Sequence, residues 1–400
     1  MDGSIGYIGY CTNVHAGEDL LTTMANLEKH ATEVRRLVSP DRSMGIGLWL
    51  SARTTERLLS EQRLAAFADW LNQALLIPYT LNGFPYGDFH DRIVKHRVYF
   101  PTWWEAERLK YTLDLIAVQH HLLPPGLPGT ISTLPIAWGQ PAPTHEQLRQ
   151  AATHLSIVAQ HLRDLEHATG RYIRLCLEPE PGCYLQRSAD VIRFFQDYLN
   201  PLADVDAIYR HIQVCHDICH AAVMFESQHE IFRAYQAANI SIGKIQVSAA
   251  VATPDLTSCS PDRQKEVLTQ LGEFHEERYL HQTVLRERIS DTTEFYEDLP
   301  IALAAWKNRS LAGQIRVHFH VPIYADDLGL LHTTQKDIIE CVSMYDRQPH
   351  HAHWEIETYA WSVLPPRWRR PTLVEGIASE IKWFQQVLTH KLDGRATENL

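Results

Sequence analysis

The stretch YIRLCLEPEPG, Tyr172–Gly182, runs through apolar residues to an acid and then breaks into Pro-Glu-Pro-Gly. Its first half reads as a strand buried on both faces, so the acid at the tip, Glu178, is either paired or a ligand. Pro179 and the residues after it forbid further strand and turn the chain sharply. Three other stretches follow the same plan: HIQVCHDICHAA (His211–Ala222), RVHFHVPIY (Arg316–Tyr324) and HAHWEIETYAW (His351–Trp361). Acid or imidazole at the C-terminal tips of successive strands is how an α/β barrel builds an active site. Carboxylates and imidazoles converging on one mouth are also what a divalent metal needs. The expected fold is therefore α/β, a (β/α)8 barrel.

Working outward, strand-like and helix-like periodicities alternate from end to end, as a parallel sheet with crossover helices requires. Strands are expected at 6–12, 44–50, 75–81 and 130–134. A fifth reaches Glu178, a sixth reaches Asp217, and 242–247 is the seventh. Helices are expected at 19–37, 54–71, 105–123, 144–167, 189–199 and 222–239. Two strand-like runs then remain, 315–321 and 353–358, where a barrel has room for one. The preferred solution makes 353–358 the eighth strand and uses 315–321 to bring histidines over the mouth; the alternative exchanges their roles. The charged stretch 258–298 has a helical period and reads as a helical insertion or lid before the last strand. The amphipathic stretch 372–392 reads as a final helix covering the barrel. With no repeat and no linker, 1–400 is expected to be a single domain.

Formal charge is 37 − 48 = −11, and no basic stripe occurs, which argues against nucleic acid as a partner. The seven cysteines include no C-x-x-C pair, so reduced thiols in a cytoplasmic protein are expected. The N-terminus lacks a basic n-region, and no run approaches ~20 uninterrupted apolar residues, so no membrane insertion is expected. The absence of GxGxxG, Walker, GxSxG and HExxH motifs takes weight from nucleotide binding and serine hydrolysis.

The candidate site residues follow from position on strands. Asp217 and His220 can reach one ion from a single turn, or Asp217 can cap the next helix. Gln246 ends the seventh strand and offers a neutral oxygen. His318 and His320 share a strand face, as do Glu355 and Glu357. Two acids on one side of a buried strand need a cation or a proton to offset them. Glu355 is placed in the site and Glu357 nearer the rim, while Glu180 reads as an exposed acid at a turn. Asn13 and His15 follow the first strand; Asn82, Phe84 and His90 follow the third. These two regions supply expected substrate contacts, with His318 and Glu357.

Glu178, Asp217 and Glu355 resemble the metal set of the xylose-isomerase-like TIM barrels, which include sugar isomerases, ketose 3-epimerases and endonuclease IV. The segment DICH (Asp217–His220) resembles the Asp-x-Cys-His segment of the endonuclease IV-like members. Further motifs resemble the metabolite-traffic EboE family along nearly the whole chain. They are YCTNVHAGE (Tyr10–Glu18), LNGFPYGDFH (Leu81–His90), STLP (Ser132–Pro135), LEPEPG (Leu177–Gly182) and HFHVPIY (His318–Tyr324). That resemblance implies a bacterial or algal operon for secondary-metabolite precursors, with other proteins of the operon as partners. It implies no known reaction. One departure stands out: the superfamily has a His ligand on the seventh strand, where this chain has Gln246. Either its amide oxygen ligates, or His318 or His320 takes over.

The expectation is a small polar metabolite, a sugar or cyclitol, isomerised or epimerised through an enediolate with one divalent ion (Mn, Mg, Co or Zn). Glu178, Asp217, His220, Gln246 and Glu355 are the expected ligands. Glu178 and Glu355 double as base and acid, and His320 polarises the carbonyl or shuttles a proton. The alternatives are a metal-dependent phosphoester hydrolase acting on a small substrate and a non-catalytic metabolite carrier.

Overall fold

Eight parallel strands close around one axis in the computed structural model, which describes residues 7–87, 89–307, 309–344 and 352–398. The strands are Ile8–Tyr10, Met44–Trp49, Leu76–Asn82, Gly129–Thr133, Ile173–Leu177, Ile212–Asp217, Ile242–Val247 and His353–Ile356. Each from the second to the seventh pairs with its sequence neighbour. The eighth lies between the seventh and the first, with Glu355 opposite both Gln246 and Gly9. A bridge between Cys11 and Gly47 closes the ring, and Trp49 N–H donates to Thr12 Oγ1 at 2.8 Å. This is a (β/α)8 barrel.

Most strands are buried throughout because helices cover their outer faces, including Ala106–Leu122, His145–Thr169 and Gln228–Ala237. His145–Thr169 begins with a Thr144 capping box and stops at Gly170 in the left-handed region. The helix expected at 54–71 is two helices, Ala52–Ser60 and Leu64–Gln73. Ser51 caps the first, and the break falls at Gln62, whose φ of 54° ends the helical path.

The chain between the seventh and eighth strands builds a second sheet, six-stranded and antiparallel. Residues 258–298 differ from the helical insertion expected of them. Pro261–Leu271 is helical, but Thr283–Glu287 and Thr293–Tyr296 form a hairpin. Thr283–Glu287 is held by pairing with Gly313–Val317, a long-range partner that local periodicity does not reveal. Gly313–Val317 thus belongs to the second sheet, and His318 and His320 follow its end. The hydrogen bonds His318 N–H to Gln282 O and Val321 N–H to Ala249 O, 2.8 and 3.0 Å, hold this segment. The final helix, Leu373–Glu398, packs against the outer helices and the first strand.

Candidate metal centre

Three carboxylates meet where the fifth, sixth and eighth strands end. Glu178 follows Ile173–Leu177, with its N–H on Thr133 O at 3.0 Å. Asp217 ends the sixth strand and caps the helix Ile218–Val223. Its Oδ1 accepts from His220 N–H and from Ser248 Oγ, both at 2.8 Å. Glu357 lies just past the eighth strand; its Oε1 accepts from Asn13 Nδ2 at 2.7 Å and Asn82 Nδ2 at 3.1 Å. One oxygen from each of the three acids lies within 4.8 Å of the others, and all three residues are buried.

A second donor set adjoins the first. His220 Nε2 and His320 Nε2 each lie 3.2 Å from His318 Nε2. The far nitrogens are all engaged: His220 Nδ1 with Pro179 O at 2.8 Å, His318 Nδ1 with Gln282 Oε1 at 2.7 Å, and His320 Nδ1 with Glu357 O at 2.6 Å. Each acceptor calls for an Nδ1–H, which leaves the Nε2 lone pair facing the other imidazoles. Asp217 joins the sets, because its Oδ2 lies 4.0 Å from His320 Nε2.

Burial decides the protonation of these groups. It pushes His220 down to about 3 and His320 to about 4. His318 is held well below the usual imidazole range by burial, then by its two histidine neighbours. Glu178 and Glu357 are raised well above the carboxylate range by burial and then by neighbouring acids.

These residues fit a divalent cation. Glu178 Oε2, Asp217 Oδ2 and both amide atoms of Gln246 are buried and make no hydrogen bond among the described residues. Leaving such oxygens unmatched is costly, and neutral imidazoles with inward lone pairs add to the repulsion. A cation offsets both. Glu178, Asp217 and Glu357 form an oxygen-rich set; His220, His318 and His320 form a nitrogen-rich one.

Glu355 does not join them. It is paired with Lys244 Nζ at 2.8 Å, both side chains fully buried inside the barrel. Lys244 also donates to Ser132 Oγ at 3.1 Å. Burial alone would lower the lysine, but the Glu355 carboxylate outweighs it and raises the group. Gly47 makes the room: a Cβ there would stand 1.2 Å from Glu355 Oε1. The expected places of the two acids are therefore exchanged. Glu355 lies one pleat deeper and meets a lysine, while Glu357 reaches Glu178 and Asp217.

Above the donor sets lies a pocket. Asn13, Asn82, Phe84, Glu178, His220, His318, His320 and Glu357 all line it. His15 does not; it is turned to Tyr10 Oη at 2.9 Å and stacks on His30. His90 stands one layer back, its Nε2 on Asn13 O at 2.6 Å, where it supports Asn13. Glu180, expected to be exposed, is buried and lines the pocket, and burial raises it to about 7. Its same-face spacing from Glu178 was a usable signal. Tyr99, Tyr279 and Tyr359 complete an aromatic wall that no motif announces.

No protein-family model matches the chain, and no curated protein does. Solved structures resemble its backbone. An IolI protein with a bound zinc atom is 13% identical, with 96% of this chain and 99% of that one covered, at a TM-score of 0.46. The probable 3-DHS dehydratase AsbF of Bacillus anthracis is 11% identical, covering 95% and 99%, at 0.45. A xylose isomerase-like TIM barrel protein from Mycobacterium smegmatis in complex with magnesium is 11% identical, covering 96% and 97%, at 0.46. At these values the likeness says nothing about what this chain binds or does.

Proposed function

We propose that the protein is a divalent-metal-dependent isomerase or epimerase acting on a small polyhydroxylated metabolite, a sugar or cyclitol. The observation that carries this reading is the buried set Glu178, Asp217 and Glu357, with oxygens within 4.8 Å of one another; Lys95 of the pocket wall is paired with Asp298, and the buried Lys244 with Glu355. A bound divalent ion would polarise a substrate carbonyl and its neighbouring hydroxyl. Glu178 and Glu357 come from the fifth and eighth strands and approach the pocket from different sides. Both are raised above the usual carboxylate range by burial and then by neighbouring acids, which favours a carboxyl that holds a proton. In the proposed step one of them takes the proton from the carbon beside the carbonyl, giving an enediolate. The other, protonated, returns a proton to the opposite face of the same carbon for epimerisation; for isomerisation it protonates the former carbonyl carbon while the hydroxyl proton passes from one enediolate oxygen to the other. Asn13 and Asn82 hold Glu357 in position. Phe84, Phe89, Tyr279 and Tyr359 offer apolar faces to the C–H side of a sugar ring and exclude water.

A specific observation favours a second reading, metal-dependent phosphoester hydrolysis. His220, His318 and His320 form a donor set of their own beside the carboxylates, with room in chemistry for a further ion. A role in metabolite traffic, with proteins of one operon as partners, is the finer form of the first reading and rests on the sequence motifs alone.

The deciding experiment is elemental mass spectrometry on untagged protein, comparing wild type with Asp217→Ala and Glu357→Gln. One equivalent of metal that both variants lose, with turnover of a ketose or cyclitol, supports the isomerase. Two or more equivalents, with turnover of a phosphate ester, put the hydrolase first. No uptake after soaking with Mn²⁺ or Zn²⁺ leaves a metabolite carrier.

A further inference from the structure

We propose that Gln282 is a positioning residue that sets the tautomer of His318 through Glu180; this rests on the reading of His220, His318 and His320 as metal ligands. Gln282 is fully buried just before the strand Thr283–Glu287, and His318 just after Gly313–Val317. The register pairs Thr283 with Val317, so Gln282 and His318 stand opposite each other. Gln282 Nε2 donates to Glu180 Oε1 at 2.8 Å, and the same oxygen accepts from Tyr99 Oη at 2.8 Å. Gln282 Oε1 faces His318 Nδ1 at 2.7 Å.

The logic runs one way along this relay. Tyr99 gives its one hydroxyl proton to Glu180 Oε1, so Tyr99 Oη, 3.0 Å from Gln282 Nε2, can only accept there, and both oxygens call for the amide nitrogen of Gln282. The amide oxygen is thereby turned to His318, where it can only accept, so the ring proton sits on Nδ1. His318 Nε2 keeps its lone pair, 3.2 Å from the Nε2 atoms of His220 and His320 and 3.5 Å from Tyr359 Oη. A reversed amide would place a donor against Nδ1, move the ring proton to Nε2 and block the ligand position. His220 and His320 are oriented by the backbone carbonyls of Pro179 and Glu357, which no substitution at those positions removes. Only His318 depends on a side chain. Because Gln282 and His318 both come from the second sheet and Glu180 from a barrel loop, the relay also ties the insertion to the mouth.

The test uses Co²⁺ as the probe, read by its visible absorption and by titration on the full chain. Gln282→Leu removes the acceptor from His318 Nδ1 and should weaken Co²⁺ binding by about 10- to 100-fold, the usual range for lost outer-shell partners. The exchanged pair Glu180→Gln/Gln282→Glu keeps an acceptor on His318 Nδ1 and a donor between the two side chains, so binding should stay within about threefold of wild type. Equal binding by Gln282→Leu and wild type, or equal weakening in a folded exchanged pair, overturns the proposal. Wild type whose Co²⁺ uptake ignores His318→Ala overturns the metal reading of the histidines and the proposal with it. A direct readout does not depend on either variant folding. In ¹⁵N-histidine spectra of metal-free wild type, the signals lost in His318→Ala should show an Nδ1–H ring. An Nε2–H ring overturns the proposal.

Discussion

Glu355 and Glu357 are two residues apart on one strand and do opposite work. Glu355 neutralises Lys244 inside the barrel, whereas Glu357 faces Glu178 and Asp217 and pairs with no lysine or arginine among the described residues. Glu355→Gln leaves a fully buried ammonium unmatched, so a loss of about 3–5 kcal/mol in urea unfolding is expected. Removing both charges, with Lys244→Met and Glu355→Leu, should cost less than Glu355→Gln alone. Glu357→Gln should lose bound metal in elemental analysis while the metal-free protein unfolds at nearly the wild-type urea concentration. The shared face of these acids could be read from the two-residue period. Their depth could not, because it depends on where Lys244 of the neighbouring strand and the bare Gly47 across the barrel come to lie.

Two elements show how the barrel is held in register. The first and second strands touch through glycines: a Cβ on Gly9 would stand 2.3 Å from Gly45 O. Gly9→Ala should therefore pry the seam apart and lower stability by about 1–3 kcal/mol, read as a fall in Tm. The final helix contributes Glu380, which gathers the segments after His320 and after the eighth strand. It accepts from Ile323 N–H at 3.2 Å, Thr358 Oγ1 at 2.6 Å and Trp361 Nε1 at 3.1 Å. Burial raises its carboxyl to about 7, although these donors oppose the shift. A folded pKa above the unfolded value gives stability that is complete below about 4.5 and lost as pH rises through about 7. Glu380→Gln lacks that loss. It should be less stable than wild type at pH 6, and the gap in Tm should narrow by pH 9, by up to about 3 kcal/mol. A constant gap would show that the carboxyl is ionised across the range.

At the scale of the whole molecule, the acid and imidazole sets bring together the fifth, sixth and eighth strands and the inserted sheet, so a bound cation should stabilise the entire fold. At ~1,000-fold excess over Kd such binding adds about 4 kcal/mol. Chelation at pH 7.5 should lower the Tm of wild type, restored by added metal, and leave Asp217→Ala unchanged. In the metal-free protein the share of stability held by His220 and His320 should be lost as pH falls from about 6.5 towards 4, seen as a difference from His220→Ala and His320→Ala. These buried rings stay neutral there while the unfolded chain takes up protons. The raised carboxyls of Glu180 and Glu380 act in the opposite sense. Among the described residues no helix is long and apolar enough to cross a membrane. Most of this architecture was legible in the chain. Apolar runs ending in Glu178, Asp217 or Glu355–Glu357 announce parallel strands with their chemistry at one mouth, since strand burial and face alternation are local properties. The tertiary structure alone decided three things: that Glu357 and not Glu355 meets the other acids, that His318 and His320 arrive from a second sheet, and that Gln282 and Glu180 stand behind them. Each depends on strand stagger and on contacts between residues far apart in sequence, and no local period encodes those.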